Sequence, residues 1–150
     1  MANKFPLQTI LDLSQMKLEE ATRHLGELIA GQQQAAERME VLIQYRDEYQ
    51  ARFLAAAREG LNREQWRNYQ SFLERLDGAI DQAREMVARS RQQTEAGQQD
   101  WLDKRGRVKA FDTLAHRHQV RENYTESRLE QKNLDEHSAR LFGAKRREES

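Results

Sequence analysis

Stepping alternately by four and three residues from Leu7, the chain puts an apolar side chain at almost every stop. The stops are Leu7, Leu11, Ser14, Leu18, Ala21, Leu25, Leu28, Gln32, Ala35, Met39, Leu42, Arg46, Tyr49, Phe53 and Ala56; all but Ser14, Gln32 and Arg46 are apolar. A repeat of about 3.5 residues sustained this long demands a left-handed coiled coil, because only that supercoil keeps the seam facing its partner. The repeat stops at Arg58-Glu-Gly-Leu-Asn-Arg-Glu-Gln65. Gly60 suits the left-handed residue just past a helix end. Asn62 and Gln65 have the spacing of a capping box that starts the next helix. A second register follows at once through Trp66, Tyr69, Leu73, Leu76, Ile80, Ala83 and Val87. It weakens through Ser90, Thr94 and Gly97, recovers at Trp101, Val108, Phe111 and Ala115, and fades beyond His118.

Two registers joined by a tight turn imply an all-α fold, two long helices forming an antiparallel coiled-coil hairpin. The expected boundaries are one domain over 1–150, with helix 1 at about 6–58, the turn at 59–62 and helix 2 at about 63–141. Folding the chain back at the turn pairs residues whose numbers sum to about 122. Tyr49 then faces Leu73, Leu42 faces Ile80, and Leu7 faces Ala115. Gly26, Ala30 and Gly31 fall opposite residues 91–97, so both registers are weak at one level and a thin, bendable waist is expected there. Residues after about 118 have no partner and overhang by ~35 Å at 1.5 Å per residue. A solitary helix is marginal in water, so this segment is expected to be frayed when free and ordered by a partner, with a disordered tail at 143–150. The rival architecture is a three-helix bundle turning again near 97–100 or 105–107, but neither place has a proline or breaks the register.

Composition agrees with a thin core. Hydrophobic residues make up 37 % and charged residues 33 % of the chain, too polar for a thick globular interior yet sufficient for a seam that needs two apolar positions in seven. Lys plus Arg (25) equals Asp plus Glu (25), so no global field draws the chain to nucleic acid. There is no cysteine and one proline. No apolar run approaches the ~18 residues of a spanning helix, and the first residues lack the core of a signal peptide. The expectation is a cytoplasmic protein with no direct membrane insertion.

Nothing in the pattern suggests catalysis, a metal or a cofactor. The four histidines are His24, His116, His118 and His137; His116 and His118 stand about 200° apart around a helix and cannot share an ion. There is no Gly-rich phosphate loop, metalloprotease helix or nucleophile elbow. The locally basic run Lys104-Arg-Gly-Arg-Val-Lys109 reads either as a grip for an acidic partner or a phosphate backbone, or as a solvated face with Asp100, Asp103 and Asp112 nearby. The flanks of the seam near the turn are unequal. One side reads Gln50, Gln70, Asp77 and Arg84, broken only by Ile43; the other reads Tyr45, Phe72, Ala79 and Met86. Coiled-coil flanks are ordinarily charged. The apolar side is therefore either a widened seam or a docking surface with aromatic anchors.

Several blocks carry a family resemblance. Ala21-x-x-x-Leu25-Gly-Glu-Leu28, Leu42-Ile-x-Tyr45-x-x-x-Tyr49, Trp66-x-Asn-Tyr69-x-x-Phe72 and Leu76-x-x-Ala79-Ile80 do so, as do Trp101-x-x-Lys104-Arg105 and Ala110-x-x-Thr113-Leu114. In this order they resemble the FliJ family of flagellar type III export proteins across essentially the whole chain. The resemblance implies a two-helix coiled coil similar to the stalk subunit of rotary ATPases. It implies as partners the export ATPase hexamer, whose assembly and activity it promotes, the membrane export gate protein, and export chaperones that it escorts. The location implied is cytoplasmic, peripherally associated with the membrane export apparatus. The family's gate-binding surface falls here on Leu42, Tyr45, Tyr49, Phe72, Leu76 and Ala79, which coincides with the apolar flank; Arg38 and Ala83 depart from its pattern. By analogy with a stalk, the end bearing both termini enters the ATPase ring. Leu7, Leu11, Leu18, Arg105, Arg107, Lys109, Arg117 and Arg121 are the candidate contacts. The alternatives are a structural coiled-coil tether, or the equivalent stalk protein of a virulence-type injectisome.

Overall fold

A chain rich in Ala, Leu, Glu, Gln and Arg, with its one proline near the start, favours uninterrupted helix. The computed structural model, which describes residues 4–149, contains two α-helices, α1 (Gln8–Glu59) and α2 (Arg63–Glu148). α1 opens just after Pro6, where the Gln8 amide donates to the Phe5 carbonyl at 3.1 Å. The Gln8 side chain then ties the first turn to Asp12 at 2.9 Å. α1 ends at Gly60, whose φ of 103° lies where L side chains are disfavoured. The capping box forms as its spacing requires. The Gln65 amide donates to Asn62 Oδ1 at 2.8 Å, and the Asn62 amide donates to Gln65 Oε1 at 3.1 Å.

α2 is continuous through both places where a three-helix bundle would turn. It also runs past the expected end at Leu141 and takes in residues 143–148, which corrects the expectation of a disordered tail there; Ser150 lies outside the described residues. The reason is local. Gly143 alone costs about 1 kcal/mol, and the Ala, Lys, Arg and Glu that follow are good helix formers. Lys145, Arg146 and Arg147 occupy the last turn, where cations interact favourably with the helix dipole.

The chain divides into two compact units. The first to be described is Glu19–Asp103, in which the later part of α1 pairs antiparallel with the early part of α2. Its seam buries Ala21, Leu76, Ile80 and Ala83, each the size of side chain that closes a two-helix interface without a thick core. Towards the turn the seam becomes aromatic: Phe53 meets Trp66 at 5.0 Å and Tyr69 at 5.4 Å, and Tyr49 meets Tyr69 at 5.3 Å and Phe72 at 4.3 Å between ring centroids. Tilted ring pairs of this kind add about 0.5–1.5 kcal/mol each beyond the area they bury. Farther from the turn, Trp101 Nε1 donates to Thr22 Oγ1 at 2.9 Å. Thr94 Oγ1 donates to the Ser90 carbonyl at 2.9 Å and lies 3.4 Å from that of Leu28. These pairs obey the fold-back register read from the sequence. At the level of the expected waist Leu28 packs closely on Gly97, where an added Cβ would stand 2.5 Å from Leu28 Cδ1, while Gly26 and Gly31 face open space.

The other unit joins the residues up to Leu18 with those from Lys104 onward. Its seam buries Leu11, Ser14 and Val108, and Phe5 packs against His118 at 5.6 Å. His118 is thus an interfacial histidine on an aromatic ring. From Asn123 to Phe142 every α2 residue is exposed. The contacts seen there are within the helix, such as Gln131 Nε2 to Asp135 Oδ1 at 3.3 Å and the Arg128 guanidinium 5.9 Å from the Tyr124 ring.

Candidate protein-interaction surfaces

The heptad decides which residues turn inward, and the positions beside the seam decide what a partner meets. In Glu19–Asp103 the two flanks differ as the sequence pattern implies. On the polar flank Arg46, one of the three polar seam positions, swings its guanidinium outward. Arg46 Nε donates to Asp77 Oδ1, and Nη1 donates to Gln50 Oε1 at 3.0 Å. The hydrogen bond that Arg46 donates to Asp77, then the charge of Asp77, hold Arg46 above the ordinary arginine range. The seam position is thereby satisfied without burying a charge.

The opposite flank is apolar. Tyr45 meets Phe72 edge-on at 6.1 Å and is 46 % exposed, while Met86 is 55 % exposed. Leu42, Tyr49, Phe72 and Ala79 are half-buried beside them. A groove of about 720 Å³ runs along this flank between Leu42 and Arg38 of α1 and Ala79, Gln82 and Met86 of α2. The structure therefore brings together five of the six residues of the expected gate surface. Leu76 is the exception. It is only 7 % exposed and belongs to the seam, so it supports this surface from beneath. Arg38, Gln82 and Met86 rim the groove; of these the sequence pattern had marked only Met86 as part of the strip.

The unit with both termini shows a sharper rearrangement of the expected contacts. Leu11 is buried and Leu7 and Leu18 are half-buried along the seam, whereas Arg105, Arg107, Lys109, Arg117 and Arg121 are exposed on α2. The basic run does not form one face. Residues two apart stand about 200° round a helix, so Arg105 and Lys109 point away from Arg107. What shares a side with Arg107 is Lys104, one turn back. These two border a groove of about 340 Å³ with Ile10, Leu13, Lys17 and Phe111. Ile10 and Leu13 are 45 % and 49 % exposed. Sequence reasoning passed over them, although apolar residues off the Leu7-Leu11-Ser14-Leu18 register signal a second apolar face.

Among the described residues no cluster of three or more His, Asp or Glu side chains could hold a metal ion, and no helix is long and apolar enough to cross a membrane. A pair of helices zipped by a heptad seam, with an aromatic end and unequal flanks, defines an antiparallel coiled-coil protein whose exposed chemistry lies on its flanks. The chain belongs to the flagellar FliJ protein family, whose model matches residues 3–147. It is 35 % identical to the flagellar FliJ protein of Escherichia coli K12 over 93 % of this chain and 95 % of that protein. Its identity to the flagellar FliJ protein of Salmonella typhi is 34 %, with the same coverage of each.

Proposed function

We propose that this protein is a stalk-like adaptor of flagellar type III protein export, cytoplasmic and peripheral to the membrane export apparatus. It binds the export ATPase ring through the unit holding both termini, promotes the ring's assembly and activity, contacts the export gate through the apolar flank, and receives export chaperones. The observation that carries this reading is the one-sided flank around Tyr45 and Phe72. Exposed aromatic and methionine side chains beside a satisfied polar flank are what a docking surface requires. Family membership along residues 3–147 supplies the setting.

The test is ATP hydrolysis by the purified export ATPase of the same cell, below its spontaneous assembly concentration, with and without this protein. Stimulation together with a shift to hexamer is the expected result. A folded chain that leaves hydrolysis and assembly unchanged sinks the stalk role. The gate contact is tested separately by measuring gate affinity of the Tyr45→Ala/Phe72→Ala variant, which is expected to bind at least about tenfold more weakly with its helicity retained.

A further inference from the structure

The zero net charge of the chain conceals a division. The unit up to Leu18 and from Lys104 onward carries 14 Lys and Arg against 9 Asp and Glu, while Glu19–Asp103 carries 11 against 16. Residues 104–121 contain six basic residues and one acidic residue, Asp112. Asp100 and Asp103 precede this run on α2, but the lining of the groove described above holds Lys17, Lys104 and Arg107 and no carboxylate. Into this basic surroundings is set the groove with Ile10, Leu13 and Phe111 along it and Lys17, Lys104 and Arg107 at its rim.

We propose that this groove docks an amphipathic acidic helix of the partner protein. Its apolar side chains would lie on Ile10, Leu13 and Phe111, and its carboxylates would meet Lys17 and Arg107. A groove between two packed helices receives a third helix naturally, with anchors at i, i+3 and i+4. Ile10 and Leu13 are spaced i, i+3 on α1 and exposed on the same side. The narrow apolar floor favours a peptide helix over a phosphate backbone, which needs no floor. It also moves the anchoring contact from the seam leucines Leu7, Leu11 and Leu18, which are spent on the partner helix, to the residues beside them. The inference rests on the ATPase-binding reading above and names the chemistry of that contact.

The experiment is affinity of the full chain for the purified export ATPase at low and raised NaCl, comparing wild type with Lys17→Glu/Arg107→Glu and with Ile10→Gln/Leu13→Gln. All four side chains border open solvent, so both variants are expected to keep the helical circular dichroism of the wild type. Each is expected to bind at least about tenfold more weakly, and the charge-reversed variant to lose most of the salt dependence. Wild-type binding with both variants equal to it overturns the groove and leaves the adaptor reading standing. No binding by the folded wild type overturns both. Two further outcomes reassign the groove and overturn the proposal. One is wild-type dimerisation in sedimentation velocity that both variants abolish while ATPase binding persists. The other is binding to phosphatidylglycerol vesicles with the same behaviour. Should the Ile10→Gln/Leu13→Gln chain fail to fold, the charge-reversed pair decides alone.

Discussion

At the residue scale, three glycines in helical or turn settings do different jobs and respond differently to one methyl group. Gly60 has a φ of 103° with open space around it, so Gly60→Ala meets only backbone strain and is expected to destabilise by about 1–2 kcal/mol. Gly106 lies mid-helix with nothing within 4 Å of an added Cβ. Gly106→Ala is expected to stabilise by about 0.5–1 kcal/mol. Gly97→Ala gains the same helix propensity but pushes on the Leu28 side chain packed against it, so its gain is expected to vanish. Thermal unfolding of the three variants side by side checks the order Gly106→Ala above Gly97→Ala above Gly60→Ala. Arg46 offers a pH test. A raised arginine contributes stability that is fully present below its unfolded-state range and lost only in strong alkali. The difference in melting temperature between wild type and Arg46→Met is therefore expected to stay constant across about pH 6 to 9. A difference that changes within that window would show that Arg46 answers to a group titrating there.

At the element scale, α2 is a single helix held in two ways. Through the seam it is fixed by tertiary burial of Leu76, Ile80, Ala83 and Val108; beyond Asn123 the contacts seen are with its own turns. Helix propensity and i, i+4 pairs of a few tenths of a kcal/mol each keep a helix populated but protect its amides weakly. Amide exchange from about residue 123 onward is expected to be orders of magnitude faster than near Ile80. A chain ending at residue 122 is expected to lose helical signal in proportion to its length while its melting temperature moves by only a few degrees. A large fall in melting temperature on this truncation would mean that the exposed segment packs on something in the free protein.

At the scale of the whole molecule, the proposed adaptor makes two separable contacts, one on each unit. Tyr45→Ala/Phe72→Ala is expected to weaken gate binding while ATPase stimulation persists, and Lys17→Glu/Arg107→Glu to do the converse. Both are expected to reduce motility when they replace the wild-type chain in the cell. One variant that abolishes both contacts in vitro with its fold intact would rule out independent surfaces.

Much of this was legible in the residues themselves. The heptad from Leu7 to Ala56, the capping pair Asn62 and Gln65, and the turn at Gly60 are local patterns. Local patterns fix helix bounds and register, because a two-helix seam admits few alternatives once the turn is placed. The unequal flanks around Tyr45 and Asp77 followed from the same register. The end of α2 was missed because weakly hydrophobic sequence does not distinguish an exposed helix from a loose tail. Leu76 lies beneath the apolar flank and not on it, as its place in the second heptad register implies. The groove at Ile10, Leu13 and Arg107 was invisible for a further reason. It depends on which side chains of two segments some 90 residues apart come to share one side, and on a basic excess that the whole-chain charge cancels. By itself the sequence determined the helices, their pairing and the polarity of each flank, since these are set by spacing along one chain. Only the tertiary structure decided which exposed residues meet across the pair, because that depends on side chains brought together through the seam.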